Sequence, residues 1–226
     1  MQNNIAVRNV ERADSGVVTA LGEHGVATVH EAQGRAGLLA AYINPIYRGV
    51  HTAGSAVTVS VPPGDNLMVH VAVEQCEDGD VLVVSPTSPS DAGYFGELLA
   101  TALQARGVRG VVVDAGCRDV AELERMRFPI WSKCVSALGT VKETLGSVNE
   151  TIVCAGQRVD PGDVVVADDD GVVIVTRTTA EEVLQAAEAR SLKEEQSRRR
   201  YQAGELSLDV LGLRDELGRK GLEYVD

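Results

Sequence analysis

The sequence has few of the residues that mark several familiar protein classes. Aromatic residues make up 4% of the 226 positions, and there are four cysteines and one tryptophan. The cysteines, at positions 76, 117, 134 and 154, are widely separated, without CxxC spacing or a neighbouring pair of histidines. This argues against a zinc knuckle and against a disulfide framework. Such a chain is typical of a reducing compartment, and we expect a cytoplasmic protein.

Basic residues and long apolar runs are also scarce. The 21 lysines and arginines are outnumbered by 33 aspartates and glutamates, which gives a formal net charge of −12. Such a chain repels a phosphate backbone, so nucleic acid is not an expected partner. No apolar run approaches the roughly 20 residues that cross a bilayer, and the start of the chain lacks the basic-then-apolar order of a secretory signal. We therefore expect no membrane partner.

What the sequence does contain is an alternation of β-branched runs with helical patterns. With 44% hydrophobic and 24% charged residues, its composition is that of an ordinary globular protein. The middle of the chain predicts strand, helix, strand, helix, strand, which is the signature of α/β crossover units with at least partly parallel pairing. After Pro129 short strands follow with few helices between them. The predicted strands lie at 56–61, 81–85, 108–114, 129–135, 151–154, 163–167 and 172–176, and the predicted helices at 66–76 and 96–107.

The last third of the chain predicts a tight hairpin and then helices. The run DDDG at 168–171 superficially resembles a calcium loop, but further acidic ligands are missing, and Asp-Gly between valine-rich strands is a hairpin signal. From Thr179, the predicted helix cap, to Arg200 the charges match a helix dipole, and a second amphipathic stretch closes the chain. We expect an α/β catalytic domain at 1–178, a single-domain layered sandwich with a mixed central sheet, and a helical extension at 179–226 that takes part in oligomer contacts.

The stretch DAGCRDVAELE at 114–124 places charged residues where a predicted strand gives way to a helix. In α/β sheets the helix starts beyond the carboxyl ends of strands line the ligand crevice, so Arg118 and Asp119 are expected at its mouth. Asp119 and Glu122 share one helix face, where two carboxylates can hold a hard divalent cation directly or through its waters. The structural alternative is that Asp119 caps the helix and Glu122 complements its dipole.

A second, glycine-led stretch, SDAGYFGELLA at 90–100, predicts a helix that starts in the same crevice. The backbone N–H groups of Gly96 to Leu99 would bind a carboxylate or phosphate there without a basic side chain. Glu97 among these donors is explained by a nearby cation or, alternatively, by the helix dipole alone. A cation, an arginine and an amide cradle together suit a 2-oxo acid, because cation and guanidinium can stabilise the enolate left when a neighbouring carbon–carbon bond breaks.

These motifs carry a resemblance to a known family. The run GELLATALQARGVRGVVVDAGCRDVAE at 96–122 is similar to the signature of the class II 4-hydroxy-4-methyl-2-oxoglutarate/4-carboxy-4-hydroxy-2-oxoadipate aldolases. The similarity continues through VATVHEAQGR, GDNLMVHVAVEQ, WSKCVSALGTVKETLGSVN and VVVADDDGVVIV and covers most of positions 17–180. The family lies in the superfamily of the regulator of ribonuclease activity A. The resemblance therefore implies a layered α/β/α-type sandwich like the swivelling phosphohistidine domain, assembled as a homotrimer or homohexamer.

The resemblance also implies a metal site. Asp119 matches the direct ligand of a magnesium or manganese ion whose other ligands are mostly water. Glu97 and Glu122 match acidic residues that hold such waters. A glutamate from the C-terminal helix of an adjacent subunit also approaches these waters in the family, and Glu194 and Glu195 are both candidates for it.

For the substrate, the resemblance implies that Arg118 lies at the pyruvyl oxygen and that the helix start at Gly96 supplies the amides of Leu98 and Leu99 to the carboxylate. His70 is expected on a helix that starts near the same crevice, where it would contact the distal carboxylate of the substrate or help to move a proton. A partly buried, purely structural histidine is the alternative.

The activity implied is retro-aldol cleavage of 4-carboxy-4-hydroxy-2-oxoadipate to pyruvate and oxaloacetate, and of 4-hydroxy-4-methyl-2-oxoglutarate to two pyruvates, in the catabolism of aromatic compounds. Oxaloacetate decarboxylation is expected as a side activity because it passes through the same enolate.

Three alternatives accompany this prediction. The first is a protein-binding regulator of ribonuclease activity, as in the non-enzymatic branch of the superfamily, although that branch does not need Glu97 and Glu122. The second is a related lyase that acts on another hydroxy or keto acid. The third is Schiff-base chemistry at Lys133, for which the sequence shows no acid–base partner.

Overall fold

The computed structural model describes residues 4–225. Within that range it contains twelve strands and seven α-helices. The strands are β1 (Ile5–Ala6), β2 (Asn44–Pro45), β3 (Thr52–Val61), β4 (Asp80–Pro86), β5 (Gly93–Phe95), β6 (Gly110–Cys117), β7 (Ile130–Val135), β8 (Ser147–Val148), β9 (Ile152–Cys154), β10 (Gln157–Val159), β11 (Val164–Asp168) and β12 (Gly171–Val175). The helices are α1 (Ser15–Ala32), α2 (Leu67–Gln75), α3 (Glu97–Gln104), α4 (Val120–Met126), α5 (Ala180–Gln202), α6 (Ser207–Val210) and α7 (Arg214–Arg219), with a 3-10 helix at Arg177–Thr179.

The central sheet is mixed, as predicted. Strands β3, β4, β6 and β7 lie side by side and run parallel, joined by the crossover helices α2, α3 and α4. Antiparallel strands complete it: β8 and β11 pair with β3, β12 pairs with β11, and β2 pairs with β7. The parallel core therefore directs the carboxyl ends of four neighbouring strands toward one edge of the sheet.

The valine-rich strands are explained by burial on both faces. In β4, Leu82 and Val84 pack into a cluster with α2, α3 and α4, whereas Val81 and Val83 pack into a second cluster with residues 39–50 and β9. A strand covered on both faces has no solvent-exposed side, so its sequence is a continuous apolar run without alternating polar residues.

The hairpin predicted at DDDG is confirmed, because β11 and β12 pair antiparallel with Asp168 opposite Gly171. The Asp168 carboxylate accepts a hydrogen bond from the Val26 backbone N–H at 2.8 Å, so it holds α1 against the hairpin. The predicted cap at Thr179 is wrong in detail. Thr179 ends the 3-10 turn, and its hydroxyl donates to the Thr176 carbonyl at 3.2 Å instead of capping α5.

The described residues divide into two compact units, one up to residue 187 and one from residue 188 onward. In the first unit the beginning of α5 packs with α1, β11 and β12 in a third apolar cluster. The second unit contains the charged end of α5 followed by α6 and α7. Among residues 4–225, no helix combines the length and apolar character needed to cross a membrane.

Candidate active site at the carboxyl edge of the sheet

Two neighbouring strand ends create the site. Strand β5 pairs parallel with β6 so that Phe95 lies opposite Cys117, and the Arg118 backbone N–H donates to the Phe95 carbonyl at 3.0 Å. At that edge of the sheet β5 leads into α3 and β6 leads into α4. This register brings the glycine-led helix start and the Arg-Asp pair together, as the sequence predicted. Strand β5 itself escaped prediction because it has only three residues, starts at a glycine and is followed by another.

Glycine at position 96 leaves room for the Asp119 carboxylate. A Cβ atom built on Gly96 would lie 2.3 Å from Asp119 Oδ2, so any larger residue would push that carboxylate away from the start of α3. With glycine there, Asp119 Oδ2 accepts a hydrogen bond from the Glu97 backbone N–H at 3.0 Å. Asp119 thus precedes α4 in sequence but binds the start of α3. Its own backbone is left-handed (φ 60°), and its side chain makes no capping bond to α4, so the simple capping interpretation is wrong.

The next two amides of α3 remain available. Within residues 4–225 no hydrogen-bond acceptor is recorded for the backbone N–H groups of Leu98 and Leu99, as expected for the first turn of a helix. The Leu98 side chain is 79% exposed, whereas Leu99 is buried in the core beneath it. These amides and the positive end of α3 form a cradle for a carboxylate.

Arg118 and Asp119 are neighbours without being tightly paired. Arg118 Nε lies 3.7 Å from Asp119 Oδ2, and their side chains are 48% and 40% exposed. The second carboxylate oxygen of Asp119 has no hydrogen bond within the described residues. Both groups therefore keep bonding capacity for a ligand.

A cavity of about 180 Å³ lies over this edge and collects most of the predicted residues. His70, Gly96, Leu98, Leu99, Arg118 and Asp119 all line it. Sequence reasoning missed Asn66, Thr140 and Lys142, which also line it. Asn66 precedes α2, and the other two lie in a segment without helix or strand periodicity that follows β7.

Two cationic side chains, Arg118 and Lys142, line the cavity. Partial burial and the neighbouring charge of Lys142 hold the pKa of His70 below its ordinary value. His70 is therefore mainly neutral near pH 7, with Lys142 and Arg118 as the cations of the cavity.

The donor set suits only a cation that keeps most of its water. In the described part of the chain, no group of three or more histidine, cysteine, aspartate or glutamate side chains is arranged to hold a metal ion. Asp119 lines the cavity and has one carboxylate oxygen without a hydrogen bond among the described residues. One or two carboxylates plus water is the usual protein environment of Mg²⁺, so a magnesium-like ion fits and a fully protein-coordinated ion does not.

The remaining acidic candidates have partners of their own. Glu97 accepts a hydrogen bond from the Thr101 hydroxyl at 3.0 Å, and Glu122 pairs with Arg125 on the surface of α4. In the second unit Glu194 lies 2.8 Å from Arg190, and Glu195 pairs with Arg198 and Arg199. Their predicted contacts with metal-bound water remain predictions.

Two other reactive side chains near this edge are unsuited to catalysis. Lys133, beside which the sequence shows no acid–base partner, lies 2.8 Å from Asp91, and this hydrogen bond raises the pKa of Lys133. A Schiff base needs the opposite shift. Burial, followed by the nearby charge of Asp119, raises the pKa of the Cys117 thiol to about 12, so it stays protonated.

A larger cavity, of about 580 Å³, lies at the opposite edge, where β3 and β4 begin. Two of the charges in its lining neutralise each other, since Arg12 donates to both oxygens of the buried Asp80 at 2.8 and 2.9 Å. The smaller cavity is the better candidate for an active site, because it contains the Asp119 carboxylate, the Arg118 guanidinium and the free backbone amides of α3.

The fold and the site together define a class of protein. It is a mixed α/β sandwich whose carboxyl-edge cavity sets an Arg-Asp pair against a helix start. Residues 18–174 match the model of the RraA-like family, described as Aldolase/RraA, and the chain belongs to that family.

Individual relatives agree with this assignment. A Halalkalibacterium halodurans protein named "Putative 4-hydroxy-4-methyl-2-oxoglutarate aldolase" is 31% identical over 157 residues, which cover 70% of this chain and 75% of the relative. Among solved structures, an uncharacterized Pseudomonas syringae protein shares the fold with a TM-score of 0.80 at 24% identity, over 90% of this chain and 96% of the other. Streptomyces coelicolor RraAS2, titled an unusual member of the RNase ES inhibitor RraA protein family, gives a TM-score of 0.75 at 29% identity, over 84% and 99%.

Proposed function

We propose that the chain is a divalent-metal-dependent lyase. It cleaves 4-carboxy-4-hydroxy-2-oxoadipate to pyruvate and oxaloacetate, and 4-hydroxy-4-methyl-2-oxoglutarate to two pyruvates. The observation that carries the proposal is the grouping of an open Asp119 carboxylate, the Arg118 guanidinium and the free amides of Leu98 and Leu99 in one cavity. The relatives named as aldolases support the same class of reaction.

The binding steps follow from these groups. The amides of Leu98 and Leu99 donate to the carboxylate of the pyruvyl end of the substrate, where the α3 dipole favours negative charge. Arg118 donates to the C2 oxygen. Asp119 would hold a Mg²⁺ or Mn²⁺ ion directly, with Glu97 and Glu122 holding its water, and that ion would supply Lewis-acid polarisation of the C2 carbonyl.

Cleavage then needs a general base and a group that accepts the electron pair of the broken bond. A water held by the acidic side chains removes the proton of the C4 hydroxyl. The C4 oxygen becomes a carbonyl as the C3–C4 bond breaks, and the bonding pair moves to C3 and the C2 oxygen. Arg118 stabilises the charge on that oxygen, and water returns a proton to C3 to give pyruvate. His70, mainly neutral near pH 7, is available to relay a proton or to contact the distal half of the substrate.

Two further properties belong to the proposal. Oxaloacetate loses carbon dioxide at the same site, because decarboxylation places its electron pair on the same C2 oxygen. The active species is a homo-oligomer, a trimer or hexamer, in which Glu194 or Glu195 of a neighbouring subunit approaches the metal-bound water. Sedimentation velocity of the wild-type protein and of Glu194→Gln and Glu195→Gln variants, with activity assays, tests this.

The deciding experiment is pyruvate release from both substrates, coupled to lactate dehydrogenase, before and after thorough treatment with EDTA. We expect turnover to disappear with chelation and to return when Mg²⁺ or Mn²⁺ is restored. Full turnover after chelation would rule out the metal role, and no turnover of either substrate with metal present would overturn the proposed activity.

A second candidate function rests on the likeness to a member of a ribonuclease-inhibitor family. In that case the chain would bind a ribonuclease and catalyse nothing. A stoichiometric complex with a ribonuclease of its source cell, combined with absent lyase activity, would favour this alternative.

A further inference from the structure

One wall of the cavity comes from a segment with little apolar support. Residues 139–145 contribute Thr140 and Lys142 to the lining, and they contain no helix or strand beyond a single bridge at Val141. Val141 and Leu145 are exposed. Hydrophobic burial therefore does not fix this segment, which we call the outer wall.

A buried carboxylate holds the outer wall instead. Asp65 is only 2% exposed. Its Oδ2 accepts hydrogen bonds from the backbone N–H groups of Glu143 at 2.9 Å and Thr144 at 2.7 Å. Its Oδ1 accepts from the Leu67 N–H, in the first turn of α2, at 2.9 Å. One side chain thus joins the outer wall to the helix that carries His70.

The surroundings of Asp65 make this junction stiff. Val141 donates to the Gly64 carbonyl at 2.9 Å, and the Asn66 N–H donates to the Val141 carbonyl at 3.0 Å, on either side of Asp65. Tyr94 of β5 anchors the same loop, because its hydroxyl bonds the backbone of Gly64 and its carbonyl accepts from the Asn66 side chain at 3.0 Å. The outer wall is therefore tied, through Gly64 and Asn66 on either side of Asp65, to the strand that ends at the site.

We propose that Asp65 is a positioning residue that fixes the outer wall, and so sets the affinity for the half of the substrate beyond the pyruvyl unit. This inference rests on the proposed lyase function. The pyruvyl end is held by α3 and by the end of β6. The Asp65 side chain bonds neither, so its loss should act first on the distal half of the substrate.

The residue type fits the role. Burial alone would raise the pKa of Asp65, but its three backbone donors outweigh burial and hold the pKa below its ordinary value. The side chain stays ionised at any pH suitable for assay, and an ionised carboxylate bonds backbone donors more strongly than an amide does. Asparagine at this position has one acceptor oxygen, so it cannot serve both the outer wall and α2.

The test compares Asp65→Asn and Asp65→Ala with the wild-type protein. We expect the KM for 4-carboxy-4-hydroxy-2-oxoadipate to rise about tenfold in Asp65→Asn and further in Asp65→Ala. The inhibition constant of pyruvate, which needs only the pyruvyl end, should stay within about twofold of wild type. An unchanged KM, or an equal loss of substrate and pyruvate binding, would overturn the inference.

A matched control comes from the same chain. Asp163 is also a buried carboxylate that accepts two backbone N–H bonds, from Asp160 and Arg177, both at 2.9 Å, but it does not line the cavity. Asp163→Asn should therefore leave both KM and pyruvate inhibition within about twofold of wild type while it lowers stability. A KM effect as large as that of Asp65→Asn would show that any buried carboxylate gives the result, and would overturn the inference.

Two readouts separate positioning from general destabilisation. In a Lys142→Ala background, Asp65→Asn should raise KM less than twofold further, because both changes act on the same wall, whereas additive effects would contradict this. Amide hydrogen exchange in the outer wall, residues 139–145, should accelerate in Asp65→Ala but not in Asp163→Asn. A wild-type protein without turnover would overturn the proposed function and this inference with it, whereas normal turnover with unchanged KM in both Asp65 variants would overturn the inference alone.

Discussion

The two edges of the central sheet each carry an arginine and an aspartate, and the two pairs differ in burial, in separation and in hydrogen bonding. At the amino edge, Arg12 donates two bonds to Asp80, which is 1% exposed and also accepts from the Glu77 N–H at 2.7 Å. At the carboxyl edge, Arg118 and Asp119 are separated by 3.7 Å and face a cavity.

The difference teaches how to distinguish a structural ion pair from a reactive one. A buried pair whose donors and acceptors are all matched has nothing left for a ligand, and its removal leaves an uncompensated charge. A pair kept apart by the backbone retains bonding capacity. In this protein the separation depends on Gly96, which lets Asp119 reach the start of α3.

The largest expected effect is on catalysis at the open pair. Asp119→Ala should lower the rate of pyruvate release by at least about 10³-fold, or about 4 kcal/mol, because it removes the proposed metal ligand. Its free energy of unfolding should change by less than about 1 kcal/mol, since only one exposed hydrogen bond is lost. Steady-state kinetics and urea denaturation measure the two quantities. A near-normal rate in the folded variant would place the chemistry elsewhere.

The closed pair should behave in the opposite way. Asp80→Ala should lower the free energy of unfolding by about 3 kcal/mol, because Arg12 and the Glu77 N–H lose their acceptor inside the protein. The rate per folded molecule should stay within about twofold of wild type. Urea denaturation and kinetics at a temperature where the variant is folded provide the measurement. A stability change below about 1 kcal/mol would contradict the assignment of this pair as structural.

A smaller effect is expected when the charge at the open pair is kept but its shape is changed. Arg118→Lys should lower kcat by about 10-fold and Arg118→Gln by about 100-fold, because lysine keeps the charge but loses the planar set of donors. The ratio of the two rates is the informative quantity. Equal rates in both variants would mean that the charge of Arg118 does not act on the developing oxyanion.

The smallest effect concerns His70 and Lys142 in the lining of the cavity. The pKa of His70 should lie below 6.5, with partial burial as the larger cause and Lys142 as the smaller one. Lys142→Ala should therefore raise that pKa, although not fully to its ordinary value. Because the unfolded chain binds this proton at a higher pH than the folded one, stability should decline slightly as the pH falls through 6.5 and then level off below the folded pKa. NMR titration of the His70 ring checks the direction, and a midpoint that falls in Lys142→Ala would contradict it.

Sequence reasoning recovered the parts of the molecule that depend on local pattern. Strands such as β4 and β6 are buried on both faces and are therefore continuous valine-rich runs. Such runs can be recognised as strands from the sequence alone. The placement of Arg118 and Asp119 followed from the general position of helix starts beyond strand ends, and the structure brings them together with Gly96 as predicted.

The missing parts depend on contacts between distant segments. Thr140 and Lys142 reach the cavity from an irregular segment that carries no periodic signal. Asp65, which bonds the backbone of Glu143 and Thr144 in that segment, lies 78 residues or more earlier in the chain. Asp119 looks like the cap of α4 in sequence, but its side chain bonds α3, because the β5–β6 register places the start of α3 beside it.

The most direct test of the account is the binding of Mn²⁺ to the open carboxylate, followed by electron paramagnetic resonance. The wild-type protein should bind one ion per chain, and Asp119→Ala, verified as folded by circular dichroism, should bind at least about 100-fold more weakly. Equal affinity of the two proteins for Mn²⁺ would contradict the central claim that Asp119 anchors the cation.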